Sequence, residues 1–455
     1  MQLFSTIIIT IIQVLTLLLV GRYLDKTQLA IFTIFQLIFR LGLSVFDPGM
    51  FISVIQKKLR NKVIMWSLDR WQLFFVTVIS FAIVLWFAQS GSIDANLIAI
   101  MYLGICTLFW IGATSKFQSQ LIADNRQKGS FWAQVLAYGI EFIFIVAALN
   151  YLPALWIFCI GLTIRVLIMF GWAWIISNKK EENLLLKRDE YLDFSRNHVL
   201  TQLLSFIQGN YDTVFIGYLF GLPFLGIYNL ACEFSFLLFS KINPIFNRAI
   251  FPVISYQMSG EQRQTLTWNT IQTYLIVMIP IHLFIGFNAD TILHWAYPDK
   301  GIEIAVVVKY FIFIALIRGV NNILNTFILG SGNSRFMLIW NVVILLINYL
   351  FILVFLYLKI SLDLFLIWSV CYAFVLMLVI LKWMHAENLL GINLKSGSAS
   401  KMLFIISIFG IILYAMQWIH IPFWIASIIA IIVYSILLYI FNRRILFNLL
   451  KLKLV

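Results

Sequence analysis

Long apolar runs, separated by short polar segments, recur along the whole chain. A helix needs about 20 apolar residues to cross the hydrocarbon core of a bilayer. Hydrophobic residues make up 62% of the chain and charged residues only 11%, whereas a typical soluble domain has about 25% charged residues. Because lipid offers no hydrogen bonds to an open backbone, runs of this length must be helical. The sequence therefore predicts an all-α, polytopic integral membrane protein.

Fourteen of these runs are candidate membrane spans. They cover residues 3–20, 30–55, 71–88, 97–122, 131–149, 154–177, 199–220, 224–254, 271–287, 304–329, 336–358, 362–384, 402–418 and 422–441. The last two are shorter or closely joined, so twelve spans is the alternative. The first run lacks the basic start and the cleavage site of a signal peptide, and we expect it to be retained as span one.

The basic residues predict how the spans are oriented. With a cytoplasmic N-terminus, 22 of the 32 Lys and Arg residues lie in cytoplasmic segments or at the cytoplasmic ends of spans, 5 lie on the opposite face or at span ends there, and 5 lie deeper within spans. An excess of Lys and Arg marks the cytoplasmic loops of membrane proteins. We therefore expect both termini to be cytoplasmic, which requires an even number of spans. The basic loops are also expected to contact anionic membrane lipids rather than nucleic acid.

A weak internal repeat indicates how the spans are grouped. Residues 21–32 align with residues 217–228 at a constant offset of 196, and the same offset aligns Pro48 with Pro244. The two copies are six spans apart and have the same orientation, as in a parallel repeat. We expect an N-lobe of spans 1–6 (1–177), a cytoplasmic linker (178–198), a C-lobe of spans 7–12 (199–384), and a terminal span pair 13–14 with a cytoplasmic tail (385–455).

The two aligned prolines predict helix kinks. Pro48 and Pro244 would each remove one backbone hydrogen bond at matching points of spans two and eight. Such kinks suit a transporter that rocks one lobe against the other. Bending that serves only helix packing is the alternative.

Ionisable residues inside the spans are the main functional clue, because a charge in hydrocarbon is costly and usually faces a cavity or a partner. The basic ones are Arg40, Arg165, Lys241, Arg248 and Arg318, and the acidic ones are Asp47, Glu141, Asp212 and Glu233. Pairing for helix packing is the alternative, favoured for Arg165 with Glu141. Arg248 and Glu233 lie nearer span ends, where their side chains could reach the interface.

One predicted span has a polar stripe. Arg318, Asn321, Asn322 and Asn325 follow i, i+3, i+4, i+7 spacing and so share one helical face. This face should line a wet interior. An arginine fork there suits a phosphate-bearing, anionic substrate.

Catalytic motifs are missing from the sequence. It has no GxxxxGK[ST] loop, no HExxH, no GxSxG and no DxD pair, and its predicted outer loops are short. The five histidines and four cysteines show no metal-ligand spacing. We therefore expect a protein that is not an enzyme and that has no cofactor and no metal site.

Several segments resemble a known family. Residues 204–221 and 225–231 resemble its span-seven signature, and residues 241–255 are similar to its span-eight segment. Residues 46–56 and 296–341 fit as well, the latter with Arg318 and with Trp340-Asn341. These segments resemble the bacterial O-antigen and exopolysaccharide flippases of the multidrug/oligosaccharidyl-lipid/polysaccharide superfamily, in particular the colanic-acid-exporter-like branch.

The resemblance implies a MATE-like fold, with two six-helix lobes around a central cationic cavity. It implies that an undecaprenyl-diphosphate-linked oligosaccharide is flipped from the inner to the outer leaflet of the bacterial inner membrane by alternating access. The family motifs map onto Asp47, Asn210, Asp212, Lys241, Asn243 and Arg318, whereas Arg40 is included for its depth alone. We expect a monomer, with a glycan polymerase and other assembly proteins as possible partners.

The candidate site residues fall into two groups. The substrate-cavity candidates are Arg40, Lys241, Arg318, Asn321, Asn322, Asn325, Asn210 and Asn243, and the candidates for ion coupling are Asp47, Asp212, Glu141 and Glu233. Proton coupling, sodium coupling and no coupling all remain open. The alternative functions are a multidrug or cation exporter of the same superfamily and a non-transporting scaffold for glycan assembly.

Overall fold

The computed structural model describes residues 2–57, 74, 77–78, 80–82, 85, 95–123, 127–177, 188–255, 260–331, 333–387, 407–416 and 423–441. Regular secondary structure within these residues is entirely helical. The helices are α1 (Gln2–Tyr23), α2 (Lys26–Lys57), α3 (Ala95–Ala123), α4 (Gln127–Ala148), α5 (Ala154–Ser177), α6 (Arg188–Phe220), α7 (Leu222–Ser255), α8 (Gly260–Phe287), α9 (Ala289–Ala296), α10 (Gly301–Gly330), α11 (Ser334–Leu358), α12 (Leu362–Ala386), α13 (Ser407–Met416) and α14 (Phe423–Phe441).

Eight helices in the described part of the chain are long and apolar enough to cross a membrane. Much of their apolar surface faces outward: only 11% of Ile339–Leu358 and 22% of Leu362–Ala386 is buried. Exposing an apolar surface of this size to water would be energetically costly, whereas in a membrane lipid covers it. The predicted all-α, polytopic membrane fold is confirmed. The number fourteen stays a prediction, because most of span 71–88 and part of span 402–418 lie outside the described residues.

The first of two compact units comprises Met1–Leu230. Its central helix is α2, whose segment Lys26–Ser44 is 67% buried and which packs against α3, α5 and α6. Around it, α3 and α4 pack against α5, and α1 packs against α4. A helix enclosed on so many sides can hold polar side chains away from lipid. Gln36 and Arg40 of α2 are two such side chains, and both are half-buried.

Within this unit the beginning of α7 lies directly on the beginning of α2. A Cβ atom added to Gly226 would stand 2.5 Å from the backbone oxygen of Lys26 and 2.6 Å from the Cβ of Leu29. Only glycine permits this approach. Gly226 aligns with Ala30 in the internal repeat, so equivalent positions of the two copies meet at this crossing. The matching leucines Leu29 and Leu225 are both buried there, which gives their similarity a packing reason.

The second compact unit comprises Ala231–Val455. Its central helix is α10, which packs against α8, α9 and α12. The contact with α8 is close at Gly319, where an added Cβ would collide with the hydroxyl of Tyr274. At the far end of the chain, the Tyr434 hydroxyl of α14 donates a hydrogen bond to the backbone oxygen of Ile276 in α8.

The two compact units meet in sequence at Leu230, whereas the sequence predicts a linker between the lobes at residues 178–198. The division at Leu230 assigns α6 to the first unit, because α2 packs along α6. Residues 178–187 of the predicted linker lie outside the described residues. The lobe boundaries derived from the sequence therefore stay a prediction, as does the pairing of spans 13 and 14.

Candidate functional site

Arg318 is the most accessible of the candidate cations whose side chains are described. It lies on the exposed side of α10, while the next two residues, Gly319 and Val320, are buried. Its guanidinium carbon stands 4.9 Å from the centre of the Phe236 ring of α7. Within the described residues it has no carboxylate partner. The aromatic ring thus orients the arginine, and no carboxylate among the described residues compensates its positive charge.

A tyrosine on a third helix lies beside this cation. Tyr372 of α12 is close enough to Arg318 to interact with it electrostatically. The Tyr372 ring stacks on Trp368, with ring centres 4.9 Å apart, and its buried hydroxyl has no hydrogen-bond partner in the part of the chain described. Helices α7, α10 and α12 therefore combine a free cation and a free hydroxyl, which can both bind the oxygens of a ligand.

The three asparagines of the predicted polar stripe have two different roles. Asn321 and Asn325 are half-buried, and the amide oxygen of each is buried without a hydrogen-bond partner among the described residues. Such orphaned acceptors are costly unless a ligand or water reaches them. They extend the polar surface that begins at Arg318.

Asn322 instead joins α10 to α7. Its amide oxygen accepts a hydrogen bond of 2.5 Å from Nδ2 of Asn247, whose own oxygen accepts one of 3.0 Å from the hydroxyl of Thr326. Asn243, one turn earlier on α7, is buried and donates to the backbone oxygen of Gly319 at 3.2 Å. This asparagine ladder holds two helices together, and its role as a substrate contact stays a prediction.

We expect the ladder to contribute measurably to stability. Asn322→Leu leaves the Asn247 amide without its acceptor and should lower the free energy of unfolding by about 1 kcal/mol, since interhelical hydrogen bonds in membranes contribute about 0.6 to 1.7 kcal/mol. Unfolding in SDS of the single variants and of Asn247→Leu/Asn322→Leu measures the coupling. Asn321→Leu on the same helix is the control, and it should show no coupling with Asn247→Leu. A coupling of zero for Asn322 would contradict the ladder.

The other charged candidates lie on α2 and α7. Arg40 of α2, with Lys241 and Glu233 of α7, is half-buried, and each of the three has an interaction partner. The side chains of Asp47, Pro48 and Arg248 lie outside what the structure describes. Helices α2 and α7 continue through positions 48 and 244, and the kinks predicted at Pro48 and Pro244 stay a prediction.

Asp212 and Asn210 of α6 are both engaged locally. The Tyr228 hydroxyl of α7 donates to Oδ2 of Asp212 at 2.9 Å, and the backbone N–H of Thr213 donates to its Oδ1 at 2.9 Å. Nδ2 of Asn210 donates to the backbone oxygen of Phe206 at 2.9 Å. Asp212 thus links α6 to α7, and its role in ion coupling remains untested.

Glu141 and Arg165 form the ion pair that the sequence offers as an alternative to a coupling role. Nη1 of Arg165 lies 3.1 Å from Oε2 of Glu141, and the two side chains are 13% and 4% exposed. The guanidinium carbon also lies 4.6 Å from the ring centre of Tyr138 and 5.2 Å from that of Phe39. Three helices, α2, α4 and α5, thereby converge on one buried cation.

A cavity adjoins this ion pair within the first unit. Its volume is about 180 Å³ and it is partly open. The lining residues come from α2, α3, α4 and α5: Phe39, Leu43, Ile111, Thr114, Ser115, Gln134, Tyr138, Arg165, Val166 and Met169. The sequence draws attention to Arg165, but nothing in it predicts that the arginine borders a space.

A hydrogen bond between α2 and α7 was also not foreseeable from spacing. Nδ2 of Asn229 donates to Oε1 of Gln36 at 3.1 Å, next to the close crossing at Gly226. Asn229 is buried and Gln36 half-buried. In the sequence, each of the two is a single amide side chain within an apolar run. Their importance becomes visible only because the fold brings α2 and α7 together.

A family model described as "Polysaccharide biosynthesis protein" matches residues 19–306, well over half of the chain. This chain belongs to that family of polysaccharide biosynthesis proteins. The family match contains the Glu141–Arg165 pair, the cavity and the Gln36–Asn229 bond, and it ends before Arg318. The chain is also similar to the teichuronic acid biosynthesis protein TuaB of Bacillus subtilis (strain 168). The two are 22% identical over 363 residues, which cover 75% of this chain and 72% of TuaB.

The fold of this polysaccharide biosynthesis family member is shared with solved transporters. The lipid II flippase MurJ in an inward closed conformation matches with a TM-score of 0.73, 16% identity and 98% coverage of both chains. A multidrug resistance MATE family transporter of the MOP superfamily, in an inward-facing conformation, matches with a TM-score of 0.64 and 13% identity, covering 84% of this chain and 94% of its own. The MATE-like fold that the resemblance implies is confirmed. The family match confirms a polysaccharide biosynthesis family, while the flippase role and the colanic-acid-exporter-like branch stay a prediction.

Proposed function

We propose that this chain flips an undecaprenyl-diphosphate-linked oligosaccharide from the inner to the outer leaflet of a bacterial inner membrane by alternating access. Membership of a polysaccharide biosynthesis family supports the glycan part of the proposal. A fold shared with a lipid II flippase and a MATE transporter supports membrane transport. We propose further that the protein is a monomer and that it cooperates with a glycan polymerase. In this proposal it is not an enzyme and uses no cofactor.

The observation on which the proposal most depends is the free charge of Arg318. A guanidinium binds two phosphate oxygens at once, and its bonds to an anion are roughly twice as strong as neutral ones. Phe236 holds it in place, and Tyr372 and Asn321 bring further polar groups to the same surface. We propose that this surface, with Lys241, Asn325 and the other predicted asparagines of the second unit, binds the diphosphate end of the substrate. Arg40 and Asn210 of the first unit stay predicted substrate contacts.

We propose the orientation that the loop charges predict. With both termini cytoplasmic, the chain reaches the outer face at the loop that joins α1 to α2 and again at Gly221, where α6 ends. The crossing of α7 on α2 at Gly226 and the Gln36–Asn229 bond then lie towards the outer side. We propose that this contact is a closed outer gate, which must part before the glycan can leave.

Removal of the charge tests the proposed function. Arg318→Ala should lower the rate of flipping by about tenfold or more, because a hydrogen bond to a charged group contributes about 1.5–3 kcal/mol. Arg318→Lys should retain part of the rate, since it keeps the charge but loses the fork. The measurement uses proteoliposomes that contain a polyprenyl-diphosphate-linked oligosaccharide with a fluorescent label on its sugar, and dithionite reports the exposed label.

Lys309→Ala is the matched control. It removes one positive charge from the same helix, α10, but Lys309 forms an exposed ion pair with Asp290 at 2.6 Å and should leave the rate unchanged. An equal loss in both variants would contradict a specific role for Arg318. Export of an organic cation in place of the glycan lipid would favour the drug-exporter alternative. Normal surface glycan in cells that express a folded Arg40→Ala/Arg318→Ala variant would support a non-transporting scaffold.

A further inference from the structure

The cavity beside Arg165 has more space than helix packing requires. Its volume of about 180 Å³ far exceeds the roughly 15 Å³ that one water molecule needs. It lies entirely within the first unit, between α2, α3, α4 and α5, and it is partly open. A group of several atoms can therefore enter it, and the side chains of the wall define which chemistry fits.

Arg165 supplies unused donors to the cavity. A guanidinium has five N–H donors, and within the described residues only Nη1 meets an acceptor, at Glu141. The guanidinium carbon lies over the rings of Tyr138 and Phe39, which are not hydrogen-bond acceptors for its remaining N–H groups, so these groups are available for the oxygens of a ligand. This arginine is positioned before any ligand arrives.

Glu141 makes the site different from an anion site. Its carboxylate stands 3.1 Å from the guanidinium and is itself buried, so the pair has no net charge. An incoming phosphate would gain from Arg165 and be repelled by Glu141 at almost the same distance. A hydroxyl group has no such conflict, because it accepts from the arginine and donates to the carboxylate.

The rest of the wall combines amide and apolar surface. Gln134 of α4 is half-buried, and its amide has no hydrogen-bond partner among the described residues. Leu43, Ile111, Val166 and Met169 contribute an apolar surface. A pyranose ring has hydroxyl groups at its rim and C–H groups on its faces, and so it matches both parts of this wall.

We propose that this cavity binds one uncharged sugar ring of the glycan. The proposal rests on the proposed function for the identity of the glycan, but not for the chemistry of the site. It assigns the Glu141–Arg165 pair and Gln134 to sugar binding, apart from the phosphate-binding surface at Arg318. Within the first unit, Phe39 and Tyr138 act as positioning residues for Arg165.

Binding of methyl β-D-glucopyranoside and methyl N-acetyl-β-D-glucosaminide to the full chain in lipid nanodiscs tests this site. Saturation-transfer NMR should detect at least one of the two sugars bound to the wild type. Gln134→Leu, which keeps the size but removes the amide, should weaken that binding by about five- to tenfold. Leu43→Trp should block it by volume alone, since Leu43 is an exposed lining residue that is not part of the ion pair.

Gln28→Leu is the control, because Gln28 contacts the backbone of Asp25 at the start of α2 and not the cavity. Sugar binding that is absent, or unchanged in both cavity variants, would overturn the proposal and leave a cavity filled by water. Competition by inorganic pyrophosphate as strong as that by the sugars would overturn it in favour of an anion site. The flipping assay is run on the same proteins. Sugar binding that depends on Gln134 in a wild type that does not flip would uphold the site and refute the proposed function.

Discussion

A covalent bond between positions 36 and 229 should stop flipping almost completely, and its reduction should restore the rate. The variant is Gln36→Cys/Asn229→Cys on a background in which Cys106, Cys159, Cys232 and Cys371 are replaced by alanine. The wild-type side chains meet at 3.1 Å, so the thiols are within reach of a short bis-methanethiosulfonate cross-linker, which joins them through disulfide bonds that a reductant cleaves. The measurement is the dithionite assay before cross-linking, after it, and after reduction.

The expected effect is large because alternating access requires one contact to open completely. Next to the Gln36–Asn229 bond, Gly226 lies against the backbone of α2 without any intervening side chain. In the proposed orientation this crossing closes the outer side. A single hydrogen bond there contributes about 1 kcal/mol and opens readily, whereas a covalent link holds the helices together throughout the cycle.

A second cross-link separates gating from a general loss of mobility. The hydroxyl oxygens of Thr107 in α3 and Thr163 in α5 lie 3.0 Å apart, and both helices belong to the predicted N-lobe, which is expected to move as one body. A Thr107→Cys/Thr163→Cys cross-link should leave the rate unchanged. Flipping that persists in the 36–229 cross-linked protein would show that α2 and α7 stay together during transport, and the proposed gate would then be wrong.

The parts of the fold that depend on local pattern were predictable from the sequence. Each apolar run has to be a helix in lipid, whatever its neighbours are, so the all-α class follows from run length alone. The Glu141–Arg165 pair could also be anticipated, because two opposite charges in neighbouring spans have few other partners in hydrocarbon. The structure places them 3.1 Å apart.

The parts that depend on which helices meet were not predictable. The i, i+3, i+4, i+7 spacing places Arg318 and three asparagines on one face of α10. It does not show that Asn322 is bonded to Asn247, while the amide oxygen of Asn321 has no partner among the described residues. The cavity beside Arg165 requires side chains from four helices. Gln36 and Asn229 are 193 positions apart. A single sequence holds no information on such contacts.

Removing the partner of Arg165 should produce the largest loss of stability of any single change considered. Glu141→Leu leaves a buried guanidinium with aromatic rings but no counter-charge, and breaking a buried pair in this way costs about 3–5 kcal/mol. We expect a lower yield of folded protein and a lower free energy of unfolding in SDS. The exposed pair Lys309–Asp290 is the control, and Asp290→Leu should cost about 1 kcal/mol or less.

The double variant Glu141→Leu/Arg165→Met should recover most of that loss, because replacing both members of a buried pair by apolar residues of similar size is often nearly neutral. If the double variant is as unstable as the single one, the pair is needed for packing beyond its charge, and a purely electrostatic account of the instability fails. A recovered double variant has a second use. It retains the fold and the cavity walls but lacks both charged groups that are proposed to meet the sugar hydroxyls. Stability and sugar binding should therefore separate in this protein: the first should return close to the wild-type value, and the second should remain lost.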